Sequence, residues 1–269
     1  MNLSLSNIAY SDPFDEKIVE IAVELGIKSV EAAPLKSFGS FENFDRKSVS
    51  LFTSFLSQHG LKLHSFQALL FGTPELFIFG EAEGRNRLRE IIKSQIELAG
   101  SLGVSNLVYG SPSTRKFWDK TRLEVESIAF DFFGELGEIA KSHDTAISIE
   151  PNPPVYGNEF LQSTIECLRF VQKVNSSGLK THIDTSTMIL NGEAPLDFPP
   201  EIADFNVHIH ISEPFLAPFG EKENENFHSN FVSFLETNMH DKVVSLEIKQ
   251  CEKQILIDSM TKFKKVYGK

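Results

Sequence analysis

Cysteine is scarce. Cys167 and Cys251 are the only two in 269 residues and lie 84 positions apart, which leaves no disulfide scaffold and no cysteine-based zinc site. A reducing, cytoplasmic setting is the expectation. Long apolar runs are also missing: none approaches the ~20 residues that cross a bilayer. The first residues, Met1-Asn2-Leu3-Ser4-Leu5-Ser6, lack the basic stretch and apolar core of a secretory leader, so neither export nor membrane anchoring is expected. Positive charge is in deficit, with 26 Lys and Arg against 37 Asp and Glu and a formal charge of −11. No basic stripe is available to meet a phosphate backbone, which sets nucleic acid aside as a partner. Tryptophan occurs once and phenylalanine 24 times, and most of these rings are assigned to core and pocket lining. Low-complexity tracts, charge blocks and Pro/Ser linkers are absent, so one domain over residues 1–269 is expected.

What is present is a repeated punctuation. Four times a helical pattern stops at glycine and a strand-like run follows: Gly26 before Ile27-Lys28-Ser29-Val30, Gly60 before Leu61-Lys62-Leu63-His64, Gly103 before Val104, and Gly178 before Leu179. Glycine just past a helix end takes the left-handed conformation that other residues resist. The clearest helical stretches are 14–25, 87–102, 121–141, 160–174 and 253–266. Eight short apolar or β-branched runs alternate with the helical segments, near residues 3–9, 27–32, 61–67, 104–109, 145–150, 179–184, 206–212 and 243–248. Spacings of ~25–45 residues leave room for one crossover helix each. Strands alternating with helices predict a parallel sheet, and eight such units predict a closed (β/α)8 barrel, an α/β fold. The alternative, an open doubly wound sheet, would carry a glycine-rich phosphate fingerprint after its first strand, and none is there.

Catalytic groups of a parallel barrel gather where the strands end. The last four runs each end in a titratable residue: Ile147-Ser148-Ile149-Glu150, His182-Ile183-Asp184, His208-Ile209-His210 and Ser245-Leu246-Glu247. A carboxylate at the end of a buried strand is costly unless it is paired or bound to a cation. Four such ends meeting at one mouth would bring together three carboxylates and one or two imidazoles. A divalent metal resolves that repulsion.

These motifs resemble the xylose isomerase-like barrels, the sugar isomerase/epimerase and type 2 AP-endonuclease superfamily. The resemblance runs over most of the chain and is most specific in Ile149-Glu150-Pro151-Asn152, His182-Ile183-Asp184-Thr185, His208-Ile209-His210 and Ser245-Leu246-Glu247. It implies that Glu150, Asp184, His210 and Glu247 hold a divalent metal (Mn²⁺, Mg²⁺, Co²⁺ or Zn²⁺). It also implies that Glu150 and Glu247 move the proton in an isomerase or epimerase of a small sugar or sugar derivative. The chemistry agrees: a metal on the substrate oxygens stabilises the enediolate, and two carboxylates on opposite faces take and return the proton. Two positions depart from the ketose-epimerase pattern, Thr187 for a substrate-binding His and Leu216 for a sugar-binding Arg. A metal-dependent dehydratase acting on a cyclitol or shikimate-like keto acid is therefore the alternative.

Further pocket residues are expected. Lys249 sits two after Glu247 on the same strand face, where it either holds a substrate oxyanion or pairs with a ligand carboxylate. Arg115 lies in the loop after the fourth strand and is taken as a bidentate anion contact. Gln67 and His64 end the third strand; their odd spacing turns only one inward unless the chain bulges, with Gln67 the preferred substrate contact and packing the other reading of His64. Asn152, Glu213 and His208 complete the substrate set, His208 also as a partner of a ligand carboxylate. Glu31, Tyr156 and His182 either line the pocket or satisfy neighbouring groups. Phe215, Phe219 and the Phe71–Phe79 segment read as a lid, a homodimer contact or a satellite cluster. A DNA-repair activity would need more histidines from the early strands and a basic groove; a non-catalytic binding module would not need four ligands.

Overall fold

In the computed structural model, which describes residues 1–73 and 75–268, eight parallel strands close into a barrel in chain order, with β8 paired back onto β1. They are β1 (Asn2–Ser6), β2 (Ser29–Ala32), β3 (Lys62–Phe66), β4 (Asn106–Tyr109), β5 (Ala146–Ile149), β6 (Leu179–Asp184), β7 (Asn206–Ile211) and β8 (Val243–Leu246). The helices are α1 (Glu16–Glu24), α2 (Pro34–Phe38), α3 (Arg46–Gln58), α4 (Ala82–Leu102), α5 (Arg122–Ser142), α6 (Thr164–Val174), α7 (Thr185–Asn191), α8 (Ile202–Phe205), α9 (Glu225–Asn238) and α10 (Lys253–Tyr267). Among the described residues no helix is long and apolar enough to cross a membrane. Both cysteines are free thiols.

The strands are short and mostly buried, and most alternate Leu, Ile or Val with Ser, Asn, Thr or His, as in Asn2–Ser6, Ala146–Ile149 and Asn206–Ile211. Helix starts follow their caps. Asp15 accepts from the Ile18 amide, so α1 begins at Glu16 rather than at Phe14. Thr121 and Glu124 form a reciprocal capping box at α5. Ser163 caps α6, which therefore starts after the expected 160. Gly26, Gly60 and Gly103 take positive φ as expected. Gly178 does not, and serves close approach instead: a Cβ there would collide with Gly137 O and Lys141 N of α5. Asn175, at φ 57°, ends α6 in its place.

Apolar side chains fill the space between barrel and helices in two clusters. One joins β2–β6 to α3–α6 through Phe52, Phe66, Ile91, Phe132 and Phe133; the other joins β1, β7 and β8 to α1, α9 and α10 through Ile18, Ile209, Phe231, Val244 and Phe263. Many of the phenylalanines meet edge to face, as in Phe38–Phe52 and Phe132–Phe133, with centroids 5.7 and 5.2 Å apart. Phe219 belongs to the second cluster, buried beside Phe263, so it is no lid. Within the Phe71–Phe79 segment Ile78 and Phe79 are buried while Phe71 is exposed; Pro74 lies outside the described residues.

The barrel interior is polar instead. Two register shifts shape it. Val30 pairs with Leu63 but Glu31 with Ser65, so His64 is an extra residue in β3. Thr181 pairs with Asn206 but Ile183 with Ile209, which inserts a residue in β7 ahead of the site. Bulges of this kind re-aim side chains beside active sites.

Candidate metal centre

Each predicted ligand sits where its strand reaches the mouth. Glu150 follows β5 directly, its amide bonded to Tyr109 O at 3.1 Å. Asp184 ends β6 and caps α7: Oδ1 accepts from the Thr187 amide at 2.6 Å and Oδ2 from Ser212 Oγ at 2.6 Å. His210 stands opposite Asp184 and Ser245 in the ladders of β7. Glu247 follows β8, its amide bonded to Ile211 O at 3.0 Å. One ligand atom from each of Glu150, Asp184, His210 and Glu247 lies within 4.8 Å of the others. His210 Nδ1 is 2.9 Å from Glu150 Oε1 and 3.2 Å from Glu247 Oε2.

The electrostatics describe a site short of positive charge. Burial pushes the Asp184 carboxyl up to about 7, helped by the Glu150 and Glu247 charges. Burial also raises Glu247, against the opposing pull of His210. Burial alone would lower His210, but the Glu247 and Glu31 carboxylates and its bonds to Glu150 and Glu247 hold it well above the usual imidazole range. A divalent cation fits this set: three carboxylate oxygens and one imidazole nitrogen converge, and among the described residues no lysine or arginine lines the cavity they face.

A layer of buried groups supports the ligands from below. His210 Nε2 meets Glu31 Oε2 at 2.8 Å, and the other Glu31 oxygen is 3.0 Å from His208 Nε2. Burial alone would raise Glu31, yet His210 and His208 hold it well below the carboxylate range. A carboxylate on the far nitrogen of a ligating histidine fixes the tautomer that offers its near nitrogen to the metal. With its amide nitrogen turned inward, Gln67 donates to Glu31 Oε2 and Glu247 Oε1, both at 3.0 Å, and accepts from Ser6. Asn152 Nδ2 donates to Glu150 Oε2 at 3.1 Å. His182 is buried with Nε2 3.9 Å from Glu150 Oε1, and burial with the neighbouring His210 and His208 keeps it well below the usual imidazole range. Glu31–His208–His210 and Glu150–His182–His210 form two further close triads, both sharing His210.

The cavity above the ligands measures about 350 Å³ and is lined by Pro112, Glu150, Asn152, Tyr156, Asp184, Ser186, Phe215, Leu216 and Glu247. Tyr156 OH meets Ser186 Oγ at 3.0 Å and accepts from the Phe215 amide at 2.9 Å, which ties the β7–α9 connection to the β5–α6 loop. Phe215 and Leu216 hold left-handed φ values of 61° and 54° on this wall.

Several expected substrate contacts lie elsewhere. Arg115 is fully buried; its guanidinium donates to the carbonyls of Gly110, Phe160 and Leu161 and to Asn152 Oδ1. It is an internal brace acting on Glu150 through Asn152, because backbone carbonyls brought in from residues 160 and 161 absorb the donors that an open loop would present to an anion. Glu213 is buried too, accepting from the Gly220 and Glu221 amides and from Asn224, with His228 beside it. It closes its own loop rather than facing the cavity. His208 lies with Nε2 3.0 Å from Glu31 Oε1, not beside a ligand carboxylate, and is fully enclosed. His64 turns into the barrel through the β3 bulge, its ring 5.3 Å from that of His208; burial and His208 push it down to about 4. The bulge resolves the odd spacing, since Gln67 reaches the site as well. Lys249 is exposed and outside the cavity lining, because β8 ends at Leu246 and strand alternation ends with it. Thr187 is buried, donating to Pro151 O at 2.8 Å.

Glu31 as the partner of two imidazoles, Ser212 on Asp184, and Pro112 and Ser186 in the cavity wall escaped the sequence reading. The alternation His208, His210, Ser212 on one strand face carried the signal for Ser212.

The family model described as the xylose isomerase-like TIM barrel matches residues 19–265. The chain belongs to that family. None of the curated proteins matches it. Among solved structures it resembles a 3-keto-D-glucoside 4-epimerase from E. coli, with 16% identity, 98% of this chain and 99% of that one covered, and a TM-score of 0.74. It also resembles the D-psicose 3-epimerase from Clostridium cellulolyticum H10 with D-tagatose, with 13% identity, 99% of both chains covered and a TM-score of 0.76. A family 2 AP endonuclease from Brucella melitensis is similar at 18% identity over 98% of both chains, TM-score 0.73. At these identities the likeness of family members is one of fold.

Proposed function

We propose that this protein is a divalent-metal-dependent isomerase or epimerase of a small sugar or sugar derivative. One observation carries the reading: Glu150, Asp184, His210 and Glu247 present ligand atoms within 4.8 Å of one another at the floor of a cavity that three of them, Glu150, Asp184 and Glu247, line. The solved family members titled as sugar epimerases support it.

A bound Mn²⁺, Mg²⁺, Co²⁺ or Zn²⁺ supplies charge stabilisation for the enolate character that develops when a proton leaves the carbon beside a carbonyl. The chain's own residues do the rest. Glu150 and Glu247 exchange that proton, one removing it and the other returning it. Asn152 fixes the Glu150 oxygen that faces it, and Arg115 fixes Asn152. Gln67 does the same for Glu247 Oε1. Pro112, Tyr156, Phe215 and Leu216 supply the apolar part of the cavity wall.

Among the described residues the cavity lining contains no basic side chain, with Leu216 where the ketose epimerases carry an arginine. That favours a second reading, a lyase that expels a β-hydroxyl from a cyclitol or shikimate-like keto acid after the same proton abstraction. Chelation and metal return test the dependence on the ion: turnover is lost and then restored. Product mass separates the two readings, an unchanged mass for the isomerase and a loss of one water for the lyase. Full activity in the chelated protein would refute both.

A further inference from the structure

The carboxylate cavity has a neighbour. A second hollow of about 550 Å³ opens between the β3–α4 and β4–α5 connections, lined in part by Phe71, Glu75, Phe77, Ser113, Lys116 and Trp118. The two share a wall: Pro112 lines the first, while Ser111, Ser113 and Thr114 line the second. That wall is rigid. The Thr114 amide and hydroxyl both bond Ser111 O, at 3.1 and 2.8 Å, the Ile78 amide bonds Thr114 O at 2.9 Å, and Arg115 anchors the turn from inside. Both connections leave the C-terminal ends of their strands, so both hollows open on the catalytic face.

The lining of the second hollow is specific in kind. Trp118 is 55% exposed and Phe71 is 72% exposed, and together with Phe77 they put three large rings around one hollow, a grouping that marks a binding surface more than a lone exposed ring does. Trp118 stands edge-on to Phe77, centroids 4.8 Å apart, which holds its indole in place. Three non-glycine residues of the lining, Ala68, Ser111 and Trp118, hold left-handed φ values of 50°, 38° and 43°. Such strain persists where the surroundings enforce a shape. Beside the rings lie the hydrogen-bonding groups of Thr73, Glu75, Ser113 and Lys116. Aromatic faces next to both donors and acceptors suit a sugar ring, which offers C–H bonds on its faces and hydroxyls at its edge. A phosphate would meet one lysine opposed by Glu75. A second copy of the chain would bury that glutamate and lysine without a stated partner.

We propose that this hollow receives the non-reacting ring of a glycoside, so that the substrate spans Pro112 with its reacting sugar at Glu150 and Glu247. The reacting half is assigned by the sugar chemistry proposed above, so the test reads the two halves separately. Trp118 is the chain's single tryptophan, and its emission reports on the hollow directly. The intact protein is titrated with maltose, cellobiose and glucose, with Mg²⁺ and again with chelator, while Mn²⁺ binding is measured independently by calorimetry. A saturable change in Trp118 emission is expected with at least one disaccharide, with glucose about tenfold weaker. Phe71→Ala is expected to weaken the disaccharide about tenfold and leave Mn²⁺ binding unchanged. Phe71 is exposed, so the variant folds. A response to neither disaccharide, an equal response to glucose, or emission that depends on protein concentration alone overturns the proposal, the last by showing a second copy on the hollow. Disaccharide binding without any Mn²⁺ binding would keep the glycoside subsite and remove the metal reading.

Discussion

On the β5–β8 side of the barrel mouth three carboxylates and an imidazole converge, each of the four held by buried partners; on the β3–β4 side, across the Pro112 turn, the loops present exposed aromatic rings and polar groups with hardly a bond among them. The first arrangement is ordered from beneath. Glu31, Gln67, Asn152 and Ser212 each bond a ligand residue, and Arg115 braces Asn152. The second is ordered by its loop turns, with the Thr73 and Thr114 hydroxyls bonded to Leu70 O and Ser111 O, and by Trp118 against Phe77. Proton transfer needs groups held to a fraction of an ångström, whereas binding a ring needs only a shaped surface. The difference between the two sides matches a division between reacting and recognising.

Substitutions on the β5–β8 side therefore have the largest expected effects. Glu150→Gln and Glu247→Gln should each slow exchange of the substrate proton with deuterated solvent by about a thousandfold or more; wild-type exchange rates in both would remove the two-base mechanism. Arg115→Met strands the carbonyls of Gly110, Phe160 and Leu161 and frees Asn152, at a cost of about 2–4 kcal/mol. A melting curve shows it, and an unchanged melting temperature would mean that Arg115 braces nothing. Glu31→Gln keeps the shape but can accept from only one of its two histidines, so metal affinity should drop about 10–100-fold. Calorimetry with Mn²⁺ reads this, and equal affinity would detach Glu31 from the centre.

Metal affinity should also fall with pH. Asp184, raised to about 7, and Glu247 and His210, both raised, hold protons that the cation must displace. Affinity then weakens as pH drops, first while His210 takes up its proton and further below the Asp184 value, by about tenfold per unit for each proton displaced. In the metal-free protein the same raised Asp184 carboxyl favours the protonated fold, so its contribution to stability is lost as pH climbs from about 4 towards 7. The smallest effect belongs to Lys249→Ala. The side chain is exposed and outside the cavity lining, and turnover should change less than about twofold. A large loss would put Lys249 on the substrate and redraw the site.

The barrel was legible because short segments carrying Leu, Ile or Val recur at regular spacing between helical stretches, as in Asn2–Ser6, Ala146–Ile149 and Val243–Leu246. Helices rich in Ser, Asn and Phe were harder: α9 opens Glu225-Asn226-Phe227-His228-Ser229, and its apolar stripe of Phe227, Phe231, Phe234 and Leu235, broken by Ser and Asn, packs on the barrel. The ligands were legible for a local reason, each being the polar residue at which a buried strand stops. What a side chain bonds from a distant segment was not. Arg115 looked free because its acceptors are carbonyls 45 and 46 residues away, and Glu213 because its partners belong to the loop that follows it. The β3 bulge, which brings both His64 and Gln67 inward, comes from pairing with β2 rather than from any signature within Lys62–Phe66.

Anomalous diffraction from crystals soaked in Mn²⁺ addresses the metal centre most directly. A strong peak is expected about 2.0–2.6 Å from Glu150, Asp184, His210 Nδ1 and Glu247 together. Manganese bound elsewhere, or none at all with those four side chains in place, would contradict the shared-cation reading and the chemistry built upon it.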